Sequence, residues 1–326
     1  PDGAFEPLFD GFDAGYSIIG NEGSRFFVQT TKDAPRGKLI AVDLRRPAPA
    51  QWKTLIPEGK GRDVLEGVSR VGTRFIAVWG VDAHQVLRVY GSRGGFQYEV
   101  KLPTLGSVSG FSPTSSHEKT RGFINFSSFN HPSTNFRLNL ATGKLKGYRR
   151  PKVPLDPSRF EVEQVFYPSK DGTNIPMFIV HKKGIKLDGS NPTYLYGYGG
   201  FNVSLTPYYS GANAAWLERG GIYAVANLRG GGEYGQEWHD AGRLNNKQNV
   251  FDDFIAAAQY LIRKKYTSPS KLAIGGGSNG GLLVGAALTQ RSELFGAAVP
   301  EVGVLDMLRF HLFTVGKGWR SDYGSS

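Results

Sequence analysis

The chain has 326 residues, of which 40% are hydrophobic and 21% charged, a composition typical of a globular protein with enough chain for two domains. It contains no cysteine, which excludes disulfides, thiolate catalysis and cysteine-ligated metals and agrees with the reducing cytoplasm, the location we expect. No window approaches the roughly eighteen uninterrupted apolar residues of a membrane span, so we expect no membrane association.

The net charge of +11 is concentrated in the first half of the chain, where residues 1–150 hold 21 Lys and Arg against 13 Asp and Glu. The basic residues are scattered singly, and the densest spots are the pairs Arg45-Arg46 and Arg149-Arg150. We therefore expect a solvated basic surface and no nucleic-acid partner. The chain starts at Pro1 without a Met or a signal-peptide pattern, and we expect it to be an internal fragment.

Residues 1–150 contain a repeat in which a strand-like run begins with an arginine, at Arg25, Arg74 and Arg121, spaced 49 and 47 residues apart. Further strand-like runs follow these starts, at Lys38–Leu44, Gln85–Tyr90, Gln97–Leu102, Asn135–Leu140 and Lys144–Tyr148. Short strands at this period are typical of a β-propeller, in which each blade is a four-stranded sheet. Three blades cannot close a ring, so we expect the C-terminal part of a propeller; an open β-sandwich is the alternative.

The pattern changes after three prolines within residues 151–157, which predict a domain boundary between residues 1–150 and 151–326. An antiparallel pair is expected first, followed by short apolar strands that alternate with amphipathic helices. The expected strands are Glu161–Tyr167, Ile175–His181, Thr193–Tyr198, Ile222–Asn227, Leu272–Gly275 and Ala297–Val302, and the expected helices are Val250–Lys264 and Gly280–Thr289. This order predicts an α/β domain with a mostly parallel sheet and helices on both faces.

Ser278 lies in the segment Gly276-Gly-Ser-Asn-Gly280, between a predicted strand and a predicted helix. G-x-S-x-G in this context is the nucleophile elbow of α/β-hydrolases, a turn that presents the serine hydroxyl above the sheet. The flanking glycines are needed because side chains would collide in so tight a turn. A phosphate-binding loop is the alternative, but no G-x-x-x-x-G-K-[ST] pattern is present.

A nucleophilic serine needs a base and an acid, which follow it in the chain in this type of fold. The only histidine after Ser278 is His311, and with Asp306 it falls in a segment expected to form one helix, where the two side chains would not face each other. We therefore expect the acid and the base to lie beyond Ser326, and residues 1–326 alone to be inactive. His239 has no second ligand at metal spacing, so we expect neither a metal nor a cofactor.

Five motifs, in this order along the chain, resemble those of the prolyl oligopeptidase family: LYGYGGFN at 195–202, ANLRGGGEYG at 226–235, NKQNVFDD at 246–253, GGSNGGLL at 276–283 and GKGWRSDYG at 316–324. The resemblance is dense from Phe160 to Ser326 and looser before. It implies a seven-bladed propeller capping an α/β-hydrolase domain, and an enzyme that cleaves short peptides after proline through an acyl-enzyme on Ser278. Two alternatives remain: an oligopeptidase of another specificity, and a non-catalytic peptide-binding protein.

The same resemblance implies roles for individual residues. Ser278 matches the nucleophile, and the hydroxyl of Tyr198 and the backbone N–H of Asn279 match the donors to the oxyanion. Trp319 matches the tryptophan that stacks on the substrate proline, and other walls of this pocket match Phe201, Val304 and Tyr323, with Val315 beside the next subsite. The expected partners are short proline-containing peptides, and the expected state is a monomer. Glu233 is expected to be structural.

Overall fold

The computed structural model describes residues 7–114 and 119–325. Its first part contains three four-stranded antiparallel sheets, each with its strands in chain order, as expected for propeller blades. Their strands are β1 (Tyr16–Glu22), β2 (Arg25–Thr30), β3 (Lys38–Asp43) and β4 (Lys53–Ile56); β5 (Val64–Val71), β6 (Arg74–Val81), β7 (His84–Tyr90) and β8 (Phe96–Val100); and β9 (Ser107–Pro113), β10 (Arg121–Ser128), β11 (His131–Asn139) and β12 (Lys144–Arg149).

Each predicted arginine strand is the second strand of its sheet, and the first strands β1, β5 and β9 were not predicted. All three pair with the second strand through an irregular register, a bulge that breaks the alternation of apolar and polar residues. Apolar side chains of neighbouring sheets pack together between them. The rings of Phe27 and Phe75, for example, lie 5.1 Å apart between the first two blades.

The second part is built on a six-stranded sheet whose order is β13-β14-β16-β15-β17-β18. The pairs among β13, β14 and β16 are antiparallel, and the pairs from β16 to β18 are parallel. The sheet thus agrees with the predicted antiparallel pair followed by parallel strands. Its strands are β13 (Phe160–Pro168), β14 (Asn174–Lys182), β15 (Thr193–Tyr196), β16 (Ile222–Ala226), β17 (Leu272–Gly277) and β18 (Ala297–Glu301).

Helices cover both faces of this sheet because β14 and β16 are apolar on both sides. On one face Met177 and Ile179 join a core that includes residues of three helices. On the other face Phe178 and Val180 pack with another helix and with Phe129 of the last blade. The helices are α1 (Gly211–Glu218), α2 (Gln236–Asp240), α3 (Lys247–Arg263), α4 (Asn279–Gln290) and α5 (Arg320–Tyr323).

Besides the apolar packing around Phe129, polar contacts join the two parts. The guanidinium of Arg62 lies 3.7 Å from the centre of the Tyr234 ring, and the Tyr234 hydroxyl donates a hydrogen bond to Asp82 at 2.9 Å. These contacts fix the glycine-rich segment before α2 against the blades.

The register of the parallel strands positions the candidate site. It brings the carboxyl ends of β15, β17 and β18 to one edge of the six-stranded sheet. Tyr198, Ser278 and the segment after Glu301 therefore meet there.

One expected helix is absent from the described residues. The segment that contains Asp306 and His311 forms successive turns and a short 3₁₀ segment, Phe310–Leu312, instead of an α-helix. The backbone bonds after Arg309 join residues three apart, such as the Leu312 N–H to the Arg309 carbonyl at 2.8 Å and the Phe313 N–H to the Phe310 carbonyl at 3.2 Å. Such bonds form turns and 3₁₀ segments instead of an α-helix.

Candidate active site

Ser278 sits on a sharp turn between the end of β17 and the start of α4. Its backbone is in a strained conformation, with φ 56° and ψ −115°, and its side chain is exposed. Its N–H donates to the Glu301 carbonyl at 2.9 Å, which ties the turn to the end of β18. The predicted elbow is therefore present as a bent backbone that holds an exposed hydroxyl at the sheet edge.

The two glycines of the G-x-S-x-G motif are required by close backbone contacts. A Cβ atom on Gly276 would lie 2.5 Å from the Gly280 carbonyl oxygen and 2.7 Å from that of Gly197, and a Cβ atom on Gly280 would also lie 2.7 Å from the Gly197 oxygen. Real Cβ atoms do not approach oxygen so closely. By contrast, a Cβ atom on Gly277 would meet nothing closer than 3.9 Å, so Gly276 and Gly280 are sterically fixed and Gly277 is not.

Tyr198 and Asn279 are the two predicted oxyanion donors, and both neighbour Ser278. Burial raises the pKa of the half-buried Tyr198 phenol, and a hydrogen bond with the Ser278 side chain offsets part of that rise. Asn279 is buried, and its side-chain Nδ2 donates to the Tyr198 backbone carbonyl at 2.5 Å. As the first residue of α4, Asn279 also has a backbone N–H without an intrahelical acceptor. The arrangement can offer two donors to an anion beside the serine oxygen.

An aromatic cluster lies next to Asn279. The Tyr323 hydroxyl donates to Asn279 Oδ1 at 2.9 Å, and the Phe201 ring meets the Tyr323 ring edge-on, with centroids 5.4 Å apart. Phe310, which the sequence did not single out, contacts the other side of Tyr323 at 5.3 Å. Two of the predicted pocket residues, Phe201 and Tyr323, are thus in contact beside the elbow.

The other three predicted pocket residues, Val304, Trp319 and Val315, take no part in the ring contact between Phe201 and Tyr323. Val304 is half-buried and follows Gly303, whose backbone packs on Gly281 at the start of α4. Trp319 is half-buried at the end of a 3₁₀ segment, directly before the helix that carries Tyr323. Within residues 7–114 and 119–325, no ring contact joins Trp319 to Phe201 or Tyr323. Val315 is 67% exposed.

Asp322 holds Phe201 in place, a role that sequence reasoning missed. Its Oδ1 accepts the Phe201 backbone N–H at 2.9 Å, and its Oδ2 lies 3.1 Å from Nε2 of His239. Burial alone would raise the pKa of Asp322, but the hydrogen bonds from His239 and Phe201 outweigh it and lower the pKa. Phe201 itself has a left-handed backbone, with φ 55°, so the carboxylate stabilises a strained residue of the predicted pocket.

Lys247, at the start of α3, was also missed. Its Nζ donates to Asn279 Oδ1 and to the Gly199 carbonyl, both at 2.9 Å. Burial lowers the pKa of this amine to about 8, and the negative charge of Asp322 opposes the shift. The only sequence signal was the motif NKQNVFDD, to which no function had been assigned.

The segment 229–235, which follows β16, contains two buried charged residues. Arg229 is buried and forms a bidentate pair with the buried Asp253, with Nη2 2.6 Å from Oδ1 and Nε 3.0 Å from Oδ2. Glu233 is also buried and accepts the Leu205 backbone N–H at 2.9 Å. Burial raises the pKa of Glu233 to about 7, although the Leu205 and Asn227 hydrogen bonds act in the opposite direction.

His311 has no contact that would suit a general base for Ser278. In the described part of the chain its Nδ1 is buried without a hydrogen-bond partner, and Asp306 pairs with Arg309 instead of with His311.

One group of side chains has the spacing of metal ligands. It consists of Glu161, Glu163 and His181, whose ligand atoms lie within 4.8 Å of one another. Glu163, however, already accepts a hydrogen bond from Tyr266 and contacts His181. None of the described helices has the length and apolar character needed to cross a membrane.

Comparison with protein families agrees with both parts of the fold. Residues 1–151 match the N-terminal β-propeller domain of prolyl oligopeptidases, and residues 207–326 match the prolyl oligopeptidase family itself. The chain belongs to the prolyl oligopeptidase family. The first part is therefore a segment of a propeller, and the alternative of an open β-sandwich is wrong.

Relatives in this family are similar along nearly the whole chain. A prolyl endopeptidase of Elizabethkingia meningoseptica is 46% identical over 324 residues, which cover 99% of this chain and 45% of the relative. A prolyl endopeptidase of Dictyostelium discoideum is 45% identical over 98% of this chain and 43% of its own length. The chain thus spans less than half the length of these family members.

Solved structures of prolyl oligopeptidases have the same fold. One of two prolyl endopeptidases studied for inter-domain dynamics superposes with a TM-score of 0.92 at 48% identity, covering 98% of this chain and 46% of that one. Prolyl oligopeptidase B from Galerina marginata, bound to a 25-residue macrocyclization substrate, superposes with a TM-score of 0.91 at 41% identity, covering 98% of this chain and 44% of its own.

Proposed function

We propose that the natural protein carrying this chain, here called the complete protein, is a serine endopeptidase that cleaves short peptides on the carboxyl side of proline. The observation that carries the proposal is the strained, exposed Ser278, which lies between the Tyr198 hydroxyl and the start of α4. Family membership supports it, because the relatives that match over nearly the whole chain are named prolyl endopeptidases.

The proposed reaction begins when Ser278 Oγ attacks the carbonyl carbon of the substrate proline and transfers its proton to a base. The carbonyl oxygen becomes an oxyanion, to which Tyr198 and the Asn279 N–H would donate hydrogen bonds. The C–N bond then breaks, and the protonated base gives its proton to the leaving amine. Water hydrolyses the acyl-enzyme by the same steps. We propose that the acid and the base come from outside residues 1–326, so this segment alone would not turn over substrate.

Proline specificity is proposed to come from the aromatic cluster beside Asn279. A proline ring is compact, apolar and without an amide donor, so it suits a slot walled by Phe201 and Tyr323. We place Trp319 and Val304 at the rim of the same slot, and Val315 beside the next subsite. A charged side chain would find no partner on these apolar walls, and its desolvation would oppose binding.

A panel of fluorogenic amides tests this proposal on the complete protein. A substrate with Gly-Pro before the scissile bond should be cleaved at least about a hundredfold faster, in kcat/KM, than matched Gly-Ala and Gly-Arg substrates. Cleavage of Gly-Ala or Gly-Arg amides with Gly-Pro left intact would favour an oligopeptidase of another specificity. Absence of cleavage of all three, with an intact fold, would favour a non-catalytic peptide-binding protein.

A further inference from the structure

We propose that Lys247 is a positioning residue that holds the two oxyanion-donor segments at a fixed separation. This inference deepens the proposed function and rests on it. Lys247 touches neither Ser278 nor the place of the substrate carbonyl, so it would act through Asn279 and through the segment that carries Tyr198.

The hydrogen bonds around Lys247 form a closed ring. Nζ donates to Asn279 Oδ1 and to the Gly199 carbonyl, and Asn279 Nδ2 donates in turn to the carbonyl of Tyr198, the residue before Gly199. The ring therefore joins the residue after the serine to the residue after the phenol. Asn279 Oδ1 also accepts the Tyr323 hydroxyl, which couples the pocket wall to the same amide.

The position of Lys247 is unfavourable on local grounds. It is the first residue of α3, where the helix dipole disfavours a cation, and its amine is largely removed from solvent. Such a conflict between local preference and the residue present is characteristic of functional sites. The compensation comes from the two carbonyl acceptors, from the Tyr323 ring 5.4 Å away and from the negative charge of Asp322.

No shorter or neutral side chain can replace these contacts. A methionine would reach the same space but leave the Gly199 carbonyl and Asn279 Oδ1 with fewer donors, so the two segments could separate. A displacement of about 1 Å at donors of this kind can cost about a hundredfold in rate. An arginine keeps the charge and several donors, so it should restore part of the function that a methionine loses.

The ionisable groups around the amine make a pH test informative. Lys247 faces Asp322, which is held by His239 from α2, and the Tyr323 ring. The Tyr198 phenol belongs to the segment whose Gly199 carbonyl Lys247 binds. Burial raises the pKa of both phenols, so they stay protonated in the range where the amine titrates. Because burial lowers the pKa of Lys247 to about 8, its charge is present below that pH and lost above it.

The experiment compares Lys247→Met and Lys247→Arg with Lys264→Met in the complete protein. Lys264 is exposed at the far end of α3 and serves as the matched control. We expect Lys247→Met to lower kcat about a hundredfold with KM changed less than about threefold. Lys247→Arg should recover at least about tenfold of this loss. We expect the kcat of the wild type to decline above about pH 8 and that of Lys247→Arg to show no such decline, and Lys264→Met should match the wild type.

Titration of Ser278 with a fluorophosphonate, followed until labelling is complete, gives the correctly folded fraction of each variant. Displaced donors would slow this labelling without changing its end point, so misfolding and mispositioning are distinguished. A Lys247→Met kcat within threefold of the wild type, or a loss explained entirely by a smaller titratable fraction, would overturn the inference. A wild type that neither cleaves substrate nor reacts with the probe would instead refute the proposed function, and the role of Lys247 with it.

Discussion

The side chain of Asn279 donates a hydrogen bond to the backbone carbonyl of Tyr198, with Nδ2 2.5 Å from the oxygen. The two residues are 81 positions apart, yet this bond joins the turn that presents Ser278 to the strand end that presents the phenol. A Cβ atom on Gly200 would lie 2.6 Å from the same amide nitrogen, so the segment after Tyr198 packs directly on Asn279. The proposed oxyanion donors are therefore set by one buried amide.

The Tyr198 hydroxyl should matter for the rate and little for binding. Tyr198→Phe removes one donor to the proposed oxyanion, and loss of one such donor costs about 10²–10³-fold in kcat. We expect KM to change less than about threefold in steady-state assays with a Gly-Pro amide, because the ground-state carbonyl uses the donor weakly. The control is Tyr148→Phe, a half-exposed tyrosine of β12 that should leave both constants unchanged. Equal kcat values for Tyr198→Phe and the wild type would exclude the phenol from the oxyanion site.

The Asp322 carboxylate should affect substrate binding more than turnover. Asp322→Asn keeps the size of the side chain but removes the charge that pairs with His239 and supports the Phe201 N–H. Hydrogen bonds to charged groups contribute about 1.5–3 kcal/mol, so a partial loss should raise KM for Gly-Pro substrates about tenfold. Steady-state kinetics measure the effect, and Asp306→Asn, an exposed acid of the neighbouring turn, is the control. An unchanged KM would mean that Phe201 keeps its position without the carboxylate.

The elbow glycines should tolerate substitution very unequally. Gly276→Ala places a Cβ atom 2.5 Å from the Gly280 oxygen, whereas Gly277→Ala places one no closer than 3.9 Å to any neighbour. We expect Gly276→Ala to lower the free energy of unfolding by at least about 2 kcal/mol and Gly277→Ala by less than about 1 kcal/mol. Thermal unfolding of the two variants measures the difference. Equal melting temperatures would show that the turn relaxes more readily than its backbone contacts indicate.

The Glu233 carboxyl should make stability depend on pH. Because burial raises its pKa from 4.5 to about 7, the folded state binds more protons than the unfolded state between these values. The stability that the neutral form contributes is fully present below pH 4.5 and is lost as the pH rises through 7, by about 3 kcal/mol in total. Glu233→Gln, which stays neutral, should therefore gain in melting temperature relative to the wild type between pH 5 and pH 8. A difference independent of pH would contradict this assignment.

The sequence predicted those features that depend on local pattern. The Ser278 elbow, the amphipathic helix α3 and the second strand of each blade were predicted within a few residues, because each has its own period or turn signal. The bulged first strands β1, β5 and β9 were missed because a bulge disrupts the alternation that identifies a strand. The prediction of a helix around Asp306 was wrong because the backbone bonds after Arg309 join residues three apart and form turns and a 3₁₀ segment instead of an α-helix.

The contacts that organise the candidate site could not be predicted from spacing. Asp322 meets Phe201 across 121 positions, and Lys247 meets Gly199 across 48, so no local signal links them. The sequence showed no partner for His239, because the Asp322 carboxylate that contacts it lies 83 positions away. The family motifs marked these segments as a set, but only the folded chain indicates which member contacts which.

The decisive experiment for Ser278 is reaction of the complete protein with a fluorophosphonate probe, followed by mass spectrometry of its peptides. We expect one covalent adduct, on Ser278, that forms at neutral pH and is absent from Ser278→Ala. We also expect slower labelling of Tyr198→Phe, since the same donors stabilise the attack on phosphorus. An adduct on another serine, or no adduct on a folded protein that binds proline peptides, would contradict the claim that Ser278 is the nucleophile.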